Sequence, residues 1–154
     1  MDIKYYKLAQ SDTRYLYELI QVYERVFEMK NFQMPAEAYL AQLLKNDQII
    51  FYVALSEDKH VIGGLTAYVM PSVYYAAPEV YIYDLAVEQH CQRKGVGKGL
   101  IGALQRYCKS LGCKYIFVQA DLEDQHAIDF YRATGGLQED VVHFDYVLAG
   151  TGEL

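Results

Sequence analysis

The sequence predicts a mixed α/β protein, a single domain over residues 1–154 with one mixed sheet and helices on both faces. Apolar stretches of strand length and stretches of helical period follow one another in the order β-α-α-β-β-β-α-β-α-β. A hairpin-rich first half followed by a β-α-β-α-β half calls for both antiparallel and parallel pairing. No linker, repeat or low-complexity tract divides the chain, and its length suits one hydrophobic core.

The first half is predicted to contain a strand, two helices and a hairpin. Residues 2–9 form the strand, Ser11 or Asp12 caps the first helix, and Pro35 lies in the first turn of the second. Residues 48–55 and 61–70 form the hairpin around the turn S-E-D-K-H. The predicted inward positions are Tyr15, Leu16, Leu19, Ile20, Tyr23, Val26 and Phe27 in the first helix, and Tyr39, Leu40, Leu43 and Leu44 in the second.

The second half is predicted to alternate strands with helices after a tyrosine-rich loop over residues 71–78. Strands are expected at 80–87, 114–120 and 141–148, and the second of these is apolar enough to be buried on both faces. Helices are expected at 96–111 and 124–134, and the later one ends at Gly135-Gly136.

The composition excludes several classes of protein. A formal net charge of −6 argues against nucleic acid binding and is compatible with a cationic small-molecule partner, or with solubility alone. No run of eighteen apolar residues and no apolar leader are present, so we expect a cytoplasmic location and no membrane association. The odd set Cys91, Cys108 and Cys113 indicates reduced thiols, and the four histidines lack metal-ligand spacing, so no metal is expected.

A glycine-rich turn follows the strand Y-I-Y-D-L-A-V, in the stretch E-Q-H-C-Q-R-K-G-V-G-K-G. Backbone N–H groups at the start of a helix, with Arg93, Lys94 and Lys98 beside them, predict a diphosphate site over 92–99. The alternative is a tight turn followed by a solvated basic helix end. A Walker A loop is excluded because its first glycine is missing. A dinucleotide fingerprint is disfavoured because residues 88–96 separate the strand from G-x-G-x-x-G.

Two stretches resemble the motifs of a known family. Q-R-K-G-V-G fits the pattern [QR]-x-x-G-x-[GA] of motif A in the GCN5-related N-acetyltransferases, and A-I-D-F-Y-R-A-T-G-G resembles their second motif. The resemblance implies a splayed central sheet that holds acetyl-CoA, the cosubstrate, in its opening. The cofactor-binding residues that it implies are Leu85, Ala86, Val87, Gln92, Arg93, Lys94, Gly95, Val96, Gly97, Lys98, Gly99, Asp121, Ala127 and Tyr131.

Tyr131 and Asp84 are the predicted catalytic residues. By the resemblance, Tyr131 matches the tyrosine that protonates the departing thiolate, which a phenol with a pKa near ~10 can do at neutral pH; alternatively it is one of the aromatic residues of a helical core face. Asp84 is a carboxylate inside an apolar strand, so it must be solvated, paired or functional. It can accept the proton of an incoming amine or bind its ammonium form; the alternative is a structural ion pair.

Three further stretches narrow the resemblance. E-V-Y-I-Y-D-L-A-V, I-F-V-Q-A-D and E-D-V-V-H-F-D resemble the gentamicin-type aminoglycoside 3-N-acetyltransferases, a similarity that covers residues 35 to 146. It implies acetylation of the 3-amino group of the deoxystreptamine ring, and a homodimer. The predicted substrate-binding residues are Glu79, Tyr83, Asp84, Asp121, Glu123, Asp124 and Asp145, although Asp121 or Asp124 can instead cap the helix that follows.

Two other functions remain compatible with these residues. The acceptor can be another small amine, such as a polyamine or a peptide, because such enzymes share the cofactor site. A non-catalytic acyl-CoA-binding module would have the same fold without turnover. Assays with a panel of amines distinguish the first alternative from an aminoglycoside acetyltransferase. Binding of acyl-CoA without formation of a product identifies the second.

Overall fold

The computed structural model describes residues 2–150. It confirms the predicted class, a mixed α/β fold with a five-stranded mixed sheet. The chain divides into two compact units, Met1–Gln119 and Ala120–Leu154. The prediction of a single domain stays a prediction, and each unit is described by itself.

The first unit contains the whole sheet. Its strands are β1 (Lys4–Lys7), β2 (Ile49–Leu55), β3 (Val61–Pro71), β4 (Pro78–Val87) and β5 (Ile116–Val118). They lie in the order β1-β2-β3-β4-β5, with antiparallel pairs up to β4 and a parallel β4–β5 pair. The helices are α1 (Thr13–Val26), α2 (Glu37–Leu44) and α3 (Val96–Ser110), and a short 3₁₀ helix spans Gln89–Cys91. The parallel pair follows from the helical crossover between β4 and β5.

Two apolar cores lie on opposite faces of this sheet. Alternate residues of β2 divide between them, since Tyr52 belongs to one cluster and Val53 to the other. The first cluster packs against α3 through Leu100 and Leu104, and the second packs against α1 and α2. Leu16, Leu19, Leu40, Leu65, Leu100 and Leu104 are among the fully buried side chains. Helices on both faces of the sheet are therefore confirmed.

Several predicted positions were wrong in detail. Tyr39 and Phe27 are 52% and 42% exposed because α2 buries only Leu40 and α1 ends at Val26, before Phe27. The strand predicted at 114–120 is only three residues long and is not buried on both faces, since Phe117 is 36% exposed. Only three register positions join it to β4, so the rest of the segment leaves the sheet.

The predicted last strand, 141–148, is also wrong. The second unit contains α4 (Gln125–Ala133), and its described residues after Gly136 form no strand. Val142, Phe144 and Tyr146 are 77%, 77% and 90% exposed. The residue types favour an extended chain, but a strand also needs a partner backbone, and the described part of this unit contains no other strand to pair with.

Candidate active site

The parallel pair β4–β5 separates before β4 ends. The two strands are in register only at Val80–Ile116, Tyr81–Phe117 and Ile82–Val118. β4 continues to Val87, still paired with β3 on its other side. Among the described residues, no strand pairs with the β5 side of residues 83–87. This opening is the splay that the family resemblance implies, and it leaves backbone groups of β4 available to a ligand.

A β-bulge positions the acidic residue of β4 beside this opening. Thr66 pairs with Asp84 and Ala67 pairs with Ile82, so Tyr83 is the extra residue of β4. A bulge puts two successive side chains on the same side of a sheet. Beyond it, Ala86 packs in the α1 core while Val87 packs in the α3 core. Tyr83 and Asp84 therefore face the same side as Ala86.

Asp84 occupies a partly desolvated environment. Burial raises the pKa of its carboxyl to about 6, and a hydrogen bond with the Thr66 side chain opposes that shift. Among the described residues Asp84 forms no salt bridge, so the alternative of a structural ion pair is not supported. At neutral pH such a carboxylate is largely ionised and still basic enough to accept a proton.

Behind Asp84 lies a buried pair of hydroxyl groups. Thr66 is 5% exposed and its Oγ1 lies 2.9 Å from the hydroxyl of Tyr23, which α1 contributes. Burial raises the pKa of Tyr23 well above its ordinary value, and the Asp84 charge adds to that shift. Both hydroxyls therefore stay protonated at neutral pH. Sequence analysis placed Tyr23 only in the helical core and assigned no role to Thr66.

An aromatic cluster, defined as Tyr68, Tyr81, Tyr83 and Phe117, surrounds the same side of Asp84. Tyr81 and Phe117 stack with ring centroids 4.9 Å apart, and Tyr83 meets both Tyr81 and Tyr68 edge-to-face. The Asp84 charge contributes to raised pKa values of Tyr68 and Tyr81, after burial as the larger cause. Tyr83 is 63% exposed, so this cluster presents an accessible ring next to a carboxylate.

Glu79, at the start of β4, has a different environment. Its Oε1 accepts hydrogen bonds from the hydroxyls of Tyr75, at 3.4 Å, and Tyr115. The bond to Glu79 is the largest cause of the rise in the pKa of Tyr115 to about 12. The structure thus gives this carboxylate two phenolic partners, and its predicted substrate role stays a prediction.

The glycine-rich turn leads directly into α3. Arg93 and Gly95 both have left-handed backbone angles, with φ of 62° and 83°. The first hydrogen bond of the helix joins the N–H of Gly99 to the carbonyl of Gly95, so the N–H groups of Val96, Gly97 and Lys98 have no partner within the helix. Three donors at the positive end of a helix, beside exposed Arg93, Lys94 and Lys98, form a concave anion-binding surface.

Two contacts fix this turn and explain a second glycine. The side-chain amide of Gln92 donates to the carbonyl of Val87 at 2.9 Å, which ties the turn to the end of β4. A Cβ at Gly99 would lie 2.0 Å from the Tyr5 ring, whereas one at Gly95 would meet nothing within 4 Å. Packing against β1 therefore accounts for Gly99, while Gly95 is needed for its left-handed backbone.

The second unit contains the remaining predicted site residues. Asp124 caps α4, since its Oδ1 accepts from the N–H of Ala127 at 3.0 Å, as the alternative interpretation expected. Asp121 and Glu123 are exposed, and Asp145 lies 2.8 Å from the Nε2 of His143. Tyr131 packs edge-to-face with Phe130. Its carbonyl accepts from Gly136 at 2.8 Å after the left-handed Gly135, which confirms the predicted helix stop.

A cleft of about 470 Å³ lies elsewhere in the first unit. Its lining includes Lys4, Tyr6 and Tyr15, beside β1 at the opposite edge of the sheet from β5. We place the candidate site at Asp84 because that region combines a perturbed carboxyl, an open strand edge and the glycine-rich turn. Residues 2–150 contain no metal-binding cluster of histidine, cysteine or acidic side chains, and no helix among them is long and apolar enough to cross a membrane.

Comparisons with known proteins agree with this geometry. Residues 13–135 match the Acetyltransferase (GNAT) family. An aminoglycoside acetyltransferase, meta-AAC0020, from an uncultured soil metagenomic sample has a TM-score of 0.93 with 44% identity, over 96% of this chain and 97% of that one, in its complex with trehalose. In its complex with sisomicin the TM-score is 0.93 and the identity 43%, with the same coverage.

A second such enzyme, HMB0005, also from an uncultured soil metagenomic sample, has a TM-score of 0.90 and 32% identity over 97% of this chain and 100% of that one. The uncharacterized N-acetyltransferase YycN of Bacillus subtilis (strain 168) is 27% identical over 55% of this chain, and the match spans only 53% of that relative's length. Aminoglycoside 6′-N-acetyltransferases at 17–18% identity share the fold alone. With its splayed sheet, its glycine-rich turn and a family match over most of its length, this chain belongs to the GNAT family of acetyltransferases.

Proposed function

We propose that the protein transfers the acetyl group of acetyl-CoA to the 3-amino group of the deoxystreptamine ring of aminoglycosides such as gentamicin. The observation that carries the proposal is Asp84, an ionisable carboxyl at the splay of β4 with the aromatic cluster beside it. The similarity to meta-AAC0020, whose structure contains sisomicin, supports a polycationic acceptor.

The residues around the splay fit acetyl-CoA. GNAT acetyltransferases use this thioester as the acetyl donor. Leu85, Ala86 and Val87 offer backbone groups on the open side of β4, which can pair with amides of an extended pantetheine arm. The turn from Gln92 to Gly99 offers the donors and cations that a diphosphate requires. Asp121 and Ala127 stay as further predicted contacts.

Asp84 and Tyr131 have complementary roles in the proposed reaction. Asp84 accepts a proton from the acceptor ammonium, directly or through one water, and leaves a neutral amine. The amine nitrogen forms a bond to the thioester carbonyl carbon, the C–S bond breaks, and Tyr131 donates its phenolic proton to the departing thiolate. The second proton of the amine leaves to solvent as the amide forms. A phenol with a pKa of ~10 is protonated at neutral pH, so it carries a proton for the thiolate, whose parent thiol has a pKa of about 8.5.

The acceptor side combines aromatic rings with carboxylates. Ammonium groups bind over aromatic faces as well as beside carboxylates, and Tyr83 with Asp84 offers both within two residues. We propose Glu79, Asp121, Glu123, Asp124 and Asp145 as further acidic contacts that attract a polycation. The net charge of −6 favours the same class of acceptor. We also propose a homodimer.

The experiment that tests the proposal measures CoA release from acetyl-CoA with gentamicin, sisomicin, spermidine and a lysine peptide as acceptors. We expect saturable release with the two aminoglycosides and little with the others, and NMR of the product should locate the acetyl group on the 3-amino nitrogen. If only spermidine or the peptide is acetylated, the proposed acceptor is wrong and the proposed cofactor site is retained. CoA binding without release for any amine would support a non-catalytic module.

The cofactor site has its own matched test. Gly95 and Gly112 both have left-handed backbones, with φ of 83° and 75°, and a Cβ at either meets nothing within 4 Å. Gly95→Ala and Gly112→Ala should therefore cost similar stability, roughly 1 kcal/mol each. Only Gly95→Ala, at the start of α3, should weaken CoA binding in isothermal titration calorimetry. Equal affinities of the two variants for CoA would show that the diphosphate does not bind at this turn.

A further inference from the structure

We propose that Tyr23 and Thr66 position and polarise Asp84 through a buried chain of hydroxyl groups, running from Tyr23 to Thr66 to the Asp84 carboxylate. The inference assigns a positioning role to two residues outside the reacting groups. Its catalytic part rests on the proposed function, in which Asp84 accepts the proton of the acceptor amine.

The backbone brings the first pair together. Thr66 and Asp84 are register partners across β3 and β4, and directly opposed side chains on one face of a sheet lie within about 5.5 Å at Cβ. The Thr66 side chain lowers the pKa of the Asp84 carboxyl against the larger effect of burial, as a hydroxyl that donates to the carboxylate does. The bulge at Tyr83 is what brings Asp84 opposite Thr66, since the paired residue two positions earlier, Ile82, is opposite Ala67.

The direction of the chain follows from the available protons. An ionised carboxylate can only accept, so Thr66 must donate its single hydroxyl proton to Asp84. The Oγ1 of Thr66 then has only lone pairs for Tyr23, at 2.9 Å, so Tyr23 must be the donor of that bond. Both hydroxyl dipoles therefore point toward the carboxylate. When Asp84 is protonated it no longer requires Thr66 as a donor, and the alignment is lost.

The surroundings make this chain the main polar contact of Asp84. The titratable groups that face it are Tyr23 from α1, Tyr68 from β3, and Tyr81 and Tyr83 from β4. The pKa values of Tyr23, Tyr68 and Tyr81 are raised, so these three are uncharged at neutral pH. Among the described residues no cation forms a salt bridge with it. Tyr23 and Thr66 are each 5% exposed, so water does not readily replace either hydroxyl.

The test compares Thr66→Val, Thr66→Ser, Tyr23→Phe and the double variant Tyr23→Phe/Thr66→Val with the natural chain. The first readout is a carbon-13 NMR titration of the Asp84 carboxyl, assigned by its loss in Asp84→Asn, without any substrate. Thr66→Val should raise the midpoint by roughly one pH unit, since a hydrogen bond to the charged form is lost. Tyr23→Phe should raise it less, and Thr66→Ser should keep the natural midpoint.

The second readout is the pH profile of kcat/KM with whichever amine is turned over. Its acidic limb should move upward by the same interval in Thr66→Val and return in Thr66→Ser. A role in packing alone would change stability and leave both midpoints in place, which would overturn the proposal. A moved NMR midpoint with an unmoved acidic limb would overturn the catalytic part.

The design also separates this inference from the proposed function. Moved NMR midpoints in a protein that turns over no amine would uphold the hydroxyl chain and refute the enzyme assignment. Thr66→Val leaves the Tyr23 hydroxyl buried without its partner, so its stability should fall, and the double variant should recover part of that loss. If Thr66→Val does not fold, Tyr23→Phe and the double variant still decide the direction of the shift.

Discussion

The two halves of β4 differ in how completely they are paired. Residues 80–82 have a strand on each side, whereas Tyr83 is the unpaired residue of the bulge and residues 84–87 are paired with β3 alone. Glu79 precedes the first half and is held by two tyrosine hydroxyls. Asp84 begins the second half, beside an opening and an aromatic cluster. Both are acids of the same strand, so the difference shows that the position along the strand, more than residue type, determines the surroundings of each carboxyl.

Asp84→Asn should produce the largest effect. The amide keeps the size of the side chain but cannot accept the amine proton, so we expect kcat/KM for gentamicin to fall about 100- to 1000-fold, in the range of a lost general base. Affinity for CoA should be unchanged in calorimetry, since the residue is not assigned to the cofactor. Asp58→Asn, an exposed acid of the β2–β3 turn, is the control with the same change of net charge. Full turnover in Asp84→Asn would make Asp84 a structural residue.

The pH dependence of the same reaction sharpens the contrast. Because burial raises the pKa of Asp84 to about 6, the reactive ionised form is lost as the pH falls through that value. The rate kcat/KM should therefore decrease below about pH 6, approaching tenfold per pH unit. A profile that stays flat to pH 4.5 would show that a group with an ordinary carboxyl pKa, or none, controls the step.

A stability measurement reports how much free energy of unfolding the partly buried carboxyl of Asp84 costs the protein. The pKa of Asp84 is raised in the folded chain from 3.8 to about 6, so the folded state binds this proton more tightly than the unfolded state. The protonated Asp84 therefore contributes to the free energy of unfolding; this contribution is fully present below about pH 4 and is lost as the pH rises to about 6. At pH 7.5, Asp84→Asn should raise the free energy of unfolding by roughly 1–2 kcal/mol, after allowing for solvent screening of a partly exposed group.

Urea titrations at pH 7.5 and pH 4 provide the check. The higher free energy of unfolding of Asp84→Asn should be present at pH 7.5 and largely absent at pH 4. If Asp84→Asn is less stable than the natural chain at both pH values, the carboxylate makes a net favourable contact. That result would contradict the expected cost of the carboxyl in the second half of β4.

Glu79→Gln should give the smallest effect. Glutamine keeps an oxygen acceptor for Tyr75 and Tyr115, so the start of β4 should stay intact, and kcat/KM should change by less than about threefold, as for a peripheral charge. The KM for the aminoglycoside is the quantity to measure, at low and high salt. A loss comparable to that of Asp84→Asn would show that Glu79 leaves its tyrosine partners to bind the acceptor.

Local patterns predicted most of the fold. The helices at 13–26 and 96–110, the hairpin and the glycine-rich turn all depend on nearby residues, and the structure places each within a few positions of its prediction. Position 114–120 was harder to judge because apolar character does not reveal that pairing ends after Val118. The segment 141–148 has strand-forming residues, but whether a strand forms depends on a partner that its own sequence does not contain.

The candidate site could be inferred from the sequence where one residue conflicts with its surroundings. A carboxylate in Y-I-Y-D-L-A-V is such a conflict, and it identified Asp84. Thr66 and Tyr23 gave no comparable signal, because a threonine in a strand and a tyrosine in an amphipathic helix are ordinary there. Their hydrogen bond joins positions 43 residues apart, and the bond to Asp84 depends on a bulge that changes the register. Long-range registration of this kind cannot be obtained from spacing within one element.

The bulge at Tyr83 also has a consequence for how this strand can vary. Because Tyr83 is the extra residue, its deletion would restore a regular ladder in which Asp84 directly follows Ile82 and still lies opposite Thr66. Such a deletion would keep the faces of Asp84 and Ala86 and remove one ring of the aromatic cluster. A relative that lacks this single codon could therefore preserve the fold and the pairing of Thr66 with Asp84 while it loses the exposed ring beside the carboxyl.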